Sequence, residues 1–317
     1  MSVETETKTK RAPIRVNGME AAGGKHATCD VWHHVCFAAI ALLLLSLMWR
    51  LLRLVFLYSL RNQSASHIPL IPFIAFFLIF AARDRIFSVP TWSIRLGGVL
   101  TLFSALVCLW LYNRSLIGSS WSFSAASLSA VSAWIGAFSL CYGVRATRVA
   151  LFPLLLLLFI VPWPDPVLSR VVHVLQQGSA EISYLLFRAV GVPVLKRGFY
   201  LSVPGVTIQV AEECSSIRSS IALLVTCLLA AHFYLRRYWT TLLFIALAIS
   251  FSVVKNGIRI ATLTLLSVYV DPSFLTGRLH QDGGVLFFLL ALVMLWPLLL
   301  LLGKLEKVAV SGISPAS

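Results

Sequence analysis

Long apolar runs recur along the 317-residue sequence, and several of them reach the roughly 20 residues that a helix needs to cross a bilayer. Only 12% of the residues are charged and 59% are hydrophobic, which leaves too few polar groups to cover a soluble protein of this length. The runs are continuous and Leu-rich, without the alternation that is typical of barrel strands. Because backbone polar groups in lipid must be satisfied internally, the sequence predicts an all-α integral membrane protein.

The apolar runs predict about eight transmembrane helices, with an interfacial helix and a small β-hairpin-like segment on the outer side. We place the spans at 32–49, 68–82, 96–113, 125–142, 147–163, 215–235, 239–256 and 284–302. Residues 1–31 are interpreted as a disordered cytoplasmic tail, and 304–317 as a short cytoplasmic tail. Between them, 32–303 form one polytopic membrane domain with its core at 68–302. The first 28 residues are too polar for a cleaved signal peptide, so the first span is expected to stay as an anchor.

Basic residues in the loops predict the orientation. With the N-terminus inside, every inside segment is basic, as the positive-inside rule requires. These residues are Lys8, Lys10, Arg11, Arg15, Lys25, Arg83, Arg85, Arg145, Arg148, Arg236, Arg237, Lys304 and Lys307. Arg50, Arg53, Arg61 and Arg114 fall in predicted outside loops, where long side chains reach the interface. The formal charge of +14 is therefore assigned to topology and not to nucleic-acid binding.

The six cysteines lie mostly inside apolar runs, and none of them forms a CxxC pair. This spacing predicts neither a disulfide framework nor a zinc site, and we expect no metal and no cofactor.

The outside segment 164–213 differs from the spans. Pro162, Pro164 and Pro166 end the fifth span, because proline removes a helical hydrogen bond. Residues 167–190 mix apolar with charged side chains, which predicts a helix in the membrane interface. Glycines and prolines then punctuate two short β-like runs, Phe199–Val203 and Val206–Val210, which predict a hairpin.

The segment 212–220 reads Glu-Glu-Cys-Ser-Ser-Ile-Arg-Ser-Ser and stands where the outside loop enters the sixth span. Cys214 is thus placed at a helix N-terminus, where free N–H groups and the helix dipole favour a thiolate. Ser215 and Ser216 are good capping residues, and the N–H groups of that turn can stabilise an oxyanion. Glu213 and its acidic neighbour act against a thiolate. A structural cysteine beside a polar cap is the alternative.

Two further motifs carry candidate chemistry at span ends. Arg259, in the run Lys-Asn-Gly-Ile-Arg that begins at Lys255, has a permanently charged guanidinium that can hold a carboxylate or an oxyanion. A snorkelling anchor is the alternative, and Lys255 competes for any electrostatic role. His280 precedes the eighth span, and imidazole is the usual base for a thiol nucleophile. An ordinary loop histidine is the alternative there.

The three motifs fall on the same predicted side of the membrane, at the ends of consecutive spans. Helix bundles bring such ends within reach of one another, so a thiol, a guanidinium and an imidazole are expected in one pocket. His67 and His173, also outside, are rivals for the base. His26, His33, His34 and His232 fit less well.

At these residues the chain resembles the exosortase/archaeosortase family. The resemblance rests on Glu-Cys-Ser-x-Ile-Arg-Ser, then Asn-Gly-Ile-Arg-Ile, then His-x-x-Gly-Gly before a last apolar span. It covers about residues 68–302 and is sharpest over 198–296. It implies that Cys214, Arg259 and His280 form the catalytic set, and Arg218 and Asn256 also match positions that the pattern usually fills. The family commonly has glycine where this chain has Ser216.

The resemblance implies a cysteine-type peptidase or transpeptidase in the inner membrane of a prokaryote, with its active site on the outer face. Such enzymes are thought to recognise a C-terminal sorting signal, formed by a Pro-Glu-Pro-like (PEP-CTERM) motif, a transmembrane helix and a basic tail. They are taken to cleave near the motif and pass the new carboxyl end to an acceptor, in connection with surface or exopolysaccharide export. The expected partners are membrane-anchored substrate proteins, an unknown acceptor nucleophile and membrane lipid, without nucleic acid.

Two other functions stay open from the residues. The chain can be a non-catalytic transporter or flippase component, although its spans carry few central polar residues, which transport routes normally need. It can also be an inactive scaffold for export of envelope polysaccharide.

Overall fold

The computed structural model describes residues 20–113, 119–210, 217–275 and 278–311. Within these ranges it describes the backbone alone for 20–30, 113, 275, 278–283 and 308–311.

The described chain is almost entirely helical. Ten α-helices follow one another: α1 (Glu20–Arg61), α2 (Ile71–Ala81), α3 (Arg83–Ile86), α4 (Val99–Asn113), α5 (Ser120–Val149), α6 (Leu151–Leu156), α7 (Asp165–Ala189), α8 (Ile217–Tyr234), α9 (Tyr238–Tyr269) and α10 (Arg278–Ser311). A π-helical turn, Ile94–Gly98, precedes α4, and 3-10 turns lie at Gln63–Ala65, Ile68–Leu70, Leu157–Ile160 and Pro272–Leu275. The all-α membrane fold is confirmed.

Seven of the described helical segments are long and apolar enough to cross a membrane, or eight if a bent pair forms one span. The bent pair joins Leu151–Ile160 to α7 at an angle of 96°. The sequence predicts a fifth span at 147–163 that ends at the prolines, and the structure has the end of α5, then α6 and the 3-10 turn Leu157–Ile160 there. The 96° bend follows at the Pro-Trp-Pro run, where the span is predicted to end, and Gly143, with φ 84°, adds a kink inside α5.

Two spans are longer than the sequence predicts. Helix α1 continues to Arg61, so Arg50 and Arg53 stand on a helix and not in a loop. Helix α9 runs for 32 residues, about 48 Å, and therefore extends past an apolar layer of about 30 Å. Arg259 is for this reason a helical residue, which the predicted span 239–256 does not include.

Helix α9 packs antiparallel to both α8 and α10. The three helices share one apolar core, which includes Leu223, Cys227, Phe244, Ala248, Ala291 and Leu295. At the end where α9 begins, the carboxylate of Glu306 on α10 accepts the backbone N–H of Arg236 at 2.8 Å and of Arg237 at 3.0 Å. The hydroxyl of Thr240 donates to the same carboxylate. One side chain thus caps the neighbouring helix, because the first N–H groups of a helix have no partner inside it. We call the opposite end, where α8 and α10 begin, the site end.

Helix α7 and a small sheet form a second layer against the later part of α9. Strands β1 (Leu195–Arg197), β2 (Tyr200–Val203) and β3 (Val206–Gln209) pair antiparallel in the order β1-β2-β3. The predicted hairpin is β2–β3, and β1 adds a third strand. Gly205 has φ 87° and follows Pro204, which is the arrangement of a type II turn. Phe187, Leu201, Val203, Val210 and Ala261 form the core between these elements.

Candidate functional site

The start of α8 is held against α9 by two polar contacts. The ammonium of Lys255 donates a hydrogen bond to the hydroxyl of Ser219 at 2.6 Å. The hydroxyls of Ser220 and Ser252 lie 2.5 Å apart, nearly one turn of α9 earlier. Because the two helices run in opposite directions, these pairs fix their register at the site end.

Arg259 lies one helical turn beyond Lys255 on α9. Residues four positions apart on a helix are neighbours on the same face, so the guanidinium stands on the face that meets α8. By the register of the two serine contacts, Arg259 is level with the point at which the chain enters α8. The side chain of Arg259 is half-buried. The guanidinium is therefore on the part of α9 that packs beside the start of α8.

Several predicted site residues lie outside the described part of the chain. These are Glu213, Cys214, Ser215 and Ser216, together with Glu212. His280 stands in the first turn of α10, where only the backbone is described. Arg218 is described and is exposed in the first turn of α8. The predicted proximity of Cys214, Arg259 and His280 therefore stays a prediction.

The start of α10, which carries His280, lies at the same end of the bundle as Arg259. Thr240 meets Glu306 at the opposite end of the α9–α10 pair. From there Arg259 lies about 28 Å along α9, and residue 280 about 39 Å along α10. Along the bundle, residue 280 therefore lies about 11 Å, or two helical turns, beyond the level of Arg259.

The chain on the other side of Cys214 is anchored as well. The side-chain amide of Gln176 on α7 donates to the carbonyl of Val210 at 3.1 Å, and both residues are buried. Val210 closes the sheet, since its N–H donates to the carbonyl of Phe199 at 2.9 Å. The segment 211–216 thus connects a residue fixed on α7 to a helix fixed on α9. The sequence reasoning missed Gln176, which stands in a helix read only as amphipathic.

Helix α7 approaches α9 closely through small residues. The amide of Asn256, 1% exposed, donates to the hydroxyl of Ser179 at 2.9 Å. The hydroxyl of Ser183 donates to the carbonyl of Gly257 at 3.0 Å. A Cβ atom on Gly257 would lie 2.6 Å from the Cβ atom of Ile182, so this position accepts only glycine without movement. Asn256 and Gly257 therefore position α9, and with it Arg259, on α7.

The rivals His67 and His173, and also His33 and His34, have other partners. A ring nitrogen of His67 lies 3.1 Å from the carbonyl oxygen of Phe159. His173 is exposed on α7 and packs edge-on against Phe199 at 5.1 Å. His33 contacts the carbonyl oxygen of Cys141 at 2.6 Å, and His34 contacts the hydroxyl of Tyr142 at 2.8 Å. None of these described contacts joins a histidine to Arg259.

Two cavities lie away from these residues. One of about 710 Å³ is lined by apolar and aromatic side chains of α1, α2 and α5, among them Phe37, Phe76 and Trp134. One of about 170 Å³ lies beside Tyr58, Trp163 and Asp165. Within the described ranges, no three His, Cys, Asp or Glu side chains are grouped so that they could hold a metal ion.

Between α9 and α10, the carboxylate of Asp271 accepts the N–H of Ser273 at 2.7 Å. This hydrogen bond holds the pKa of Asp271 below its ordinary value. Its contribution to stability is therefore present at neutral pH and is lost as the pH falls through that lowered pKa.

The comparison with known families decides the identity. The model of the transmembrane exosortase family matches residues 59–297, which is more than half of the chain. The chain belongs to this family. As an exosortase it is a multi-pass membrane protein of the protein-sorting transpeptidase type. The match contains α2 to α9 and the first half of α10, whereas nearly all of α1 precedes it. No curated protein sequence and no solved structure matches the chain.

Proposed function

We propose that this exosortase cleaves the C-terminal sorting signal of membrane-anchored proteins at the outer face of a prokaryotic inner membrane. The new carboxyl end passes to water or to an acceptor nucleophile, in support of surface or exopolysaccharide export. Cys214 is the nucleophile, His280 the general base and acid, and Arg259 the group that stabilises the oxyanion. The observation that supports the proposal is the register of α8 on α9, in which Lys255 meets Ser219 and Arg259 follows one helical turn later on α9.

The steps follow from the chemistry of a thiol. His280 accepts the proton of the Cys214 thiol, and the thiolate sulfur attacks the carbonyl carbon of the substrate. The carbonyl oxygen becomes negative, and the guanidinium of Arg259 stabilises it together with N–H groups of the first turn of α8. His280 then donates its proton to the leaving amine, so the peptide bond breaks and a thioester forms. His280 then takes a proton from water or from the acceptor, whose oxygen or nitrogen attacks the thioester carbonyl carbon. The C–S bond breaks, the new acyl product leaves, and His280 returns the proton to the Cys214 thiolate.

Whether the thioester is hydrolysed or transferred to an acceptor depends on whether water reaches it. A dry site excludes water and favours transfer, whereas an open one permits hydrolysis. Asn256 and Gly257 support the site indirectly, because they seat α9 on α7. Glu213, Ser215, Ser216 and Arg218 are proposed to shape the substrate cleft around Cys214.

The test is to co-express a substrate that carries a sorting signal and to measure its processing as a mass shift on a gel. Cys214→Ala, Cys214→Ser and His280→Ala are each expected to abolish processing. Arg259→Lys keeps the charge but loses the forked geometry of the guanidinium, so a strong loss is expected there too.

Matched controls separate chemistry from folding. Cys36→Ala removes a half-buried thiol and His173→Ala removes an exposed imidazole, and both variants should process substrate at the wild-type rate. Full processing by Cys214→Ala would remove the nucleophile assignment.

A further inference from the structure

Lys255 is a buried cation in the later part of a membrane helix. Its side chain is 4% exposed, and it stands 17 residues after the start of α9, about 26 Å along the helix axis. That distance places it near the far boundary of an apolar layer of about 30 Å. Lys255 is buried in protein there, and a buried charge is costly, so proteins keep such groups where they bind a partner or do chemistry.

The hydrogen bond of Lys255 to Ser219 does not balance its charge. A hydroxyl is neutral, and an ammonium has three donors, of which this contact occupies one. A buried cation is normally compensated by an anion, because desolvation of an isolated charge costs far more than one hydrogen bond returns.

Among the described residues, no carboxylate forms an ion pair with Lys255. The five described acidic side chains are placed elsewhere. Glu181 pairs with Lys196, Asp84 with Arg83, Asp271 caps Ser273, Glu306 caps α9 at the other end of the bundle, and Asp165 lies beside Tyr58.

We propose that Lys255 and Ser219 form a carboxylate-binding position at the entry to α8. Ser219 orients the ammonium, and the two remaining N–H donors are directed to the oxygens of a carboxylate. The Ser220–Ser252 pair lies on the opposite side of Lys255 from Arg259 and bounds the position with neutral groups. Arg259, one turn further along α9, adds positive potential on the side toward the predicted active site.

Two molecules have a carboxylate that fits this position. The bound carboxylate belongs either to a peptide substrate or to this chain, whose Glu212 and Glu213 adjoin Cys214 in sequence. In the first case Lys255 selects acidic substrates, and in the second it neutralises charge that would disfavour a thiolate. The first case rests on the proposed function, since it assumes that a peptide binds at this end.

The experiment measures binding, so that it does not depend on catalysis. The full-length Cys214→Ala chain in lipid nanodiscs is titrated with a synthetic transmembrane peptide that carries one Glu in its outer flank, and with the same peptide carrying Gln. Each titration is repeated with Lys255→Met added. Lys304→Met, at an exposed lysine near the other end of the bundle, is the matched control and should leave both affinities unchanged.

If the substrate supplies the carboxylate, Glu in the peptide binds about tenfold more tightly than Gln, and Lys255→Met removes the difference. If the chain supplies it, the two peptides bind alike. Lys255→Met then lowers the midpoint of thermal unfolding, and Glu212→Gln or Glu213→Gln restores at least half of that loss.

Additive effects in both double-mutant cycles would overturn the proposal, because coupled charges cannot be additive. If Lys255→Met does not fold, the cycles are repeated with Lys255→Arg and with Lys255→Gln, since both of these retain a polar group. Loss of processing in Cys214→Ala together with additive cycles would leave the proposed function standing and remove only the carboxylate site.

Discussion

The side-chain amide of Gln176 donates a hydrogen bond to the backbone carbonyl of Val210, 3.1 Å away and 34 positions along the chain. This contact fastens the end of the sheet to α7 four residues before Cys214. At the other side of the same segment, Ser219 is fastened to α9. The described residues on either side of the proposed nucleophile, Val210 and Ser219, are therefore each held by a hydrogen bond to a neighbouring helix.

The first prediction concerns the Gln176 tether. Gln176→Leu keeps the size of the side chain but leaves the buried carbonyl of Val210 without its donor, which costs about 1–3 kcal/mol. We expect the protein to fold and the rate of substrate processing to fall about tenfold, measured as the initial rate with a co-expressed substrate. Gln177→Leu, at the exposed neighbour, is the control and should process normally. Equal rates for the two variants would mean that the tether does not position the loop.

The second prediction concerns the contact of α7 with α9. Gly257→Ala places a Cβ atom 2.6 Å from the Cβ atom of Ile182, so the helices must separate. Overpacking of this kind costs about 1–3 kcal/mol, and processing should fall because Arg259 moves with α9. The measurement is thermal unfolding in detergent together with substrate processing.

Gly284→Ala is the control for that variant, because no atom of the residues that the structure describes lies within 4 Å of a Cβ placed there. It should be neutral or stabilising, since alanine is the better helix former. Ile182→Ala combined with Gly257→Ala should recover part of the loss, and the absence of any recovery would place the damage elsewhere.

The third prediction concerns the capping of α9 by α10. Glu306→Ala removes the acceptor of two backbone N–H groups and of the Thr240 hydroxyl. Loss of a helix cap costs about 0.5–2 kcal/mol, so the midpoint of thermal unfolding should fall. Lys307→Ala, at the exposed neighbour, should leave it unchanged. An unchanged midpoint in Glu306→Ala would show that water replaces the carboxylate without loss.

The fourth prediction concerns the accessibility of the thiols. Cys108, Cys141 and Cys227 are buried in the bundle. In a chain that also carries Cys29→Ala and Cys36→Ala, a membrane-impermeant maleimide added to intact cells should therefore give a mass shift on a gel, and the further change Cys214→Ala should abolish that shift. Labelling of Cys214 only in inverted vesicles would place the site on the cytoplasmic face and contradict the proposed orientation.

The spans, the turn between β2 and β3 and the family were each predictable from the sequence, for different reasons. Apolar length predicts spans, and the Pro-Gly pair at 204–205 predicts the turn between β2 and β3, because only glycine adopts its φ of 87° without strain. The motifs around Cys214, Arg259 and His280 predict the family, which the match over residues 59–297 confirms. The prolines at 162, 164 and 166 predict where the fifth span ends, and the 96° bend between Leu151–Ile160 and α7 lies there. The kink of α5 at Gly143 was not predictable, since a glycine in an apolar run does not by itself specify a kink.

The sequence by itself determined that the chain is a polytopic helical membrane protein of the exosortase family, because hydropathy and short motifs are local properties. Tertiary structure alone decided that α9 continues past the apolar layer, that Gln176 holds Val210 and that Lys255 meets Ser219. These contacts join residues 34 and 36 positions apart, and no local pattern encodes them. They depend on how helices that are each stable in lipid settle against one another, which small residues such as Gly257 and Ser183 permit.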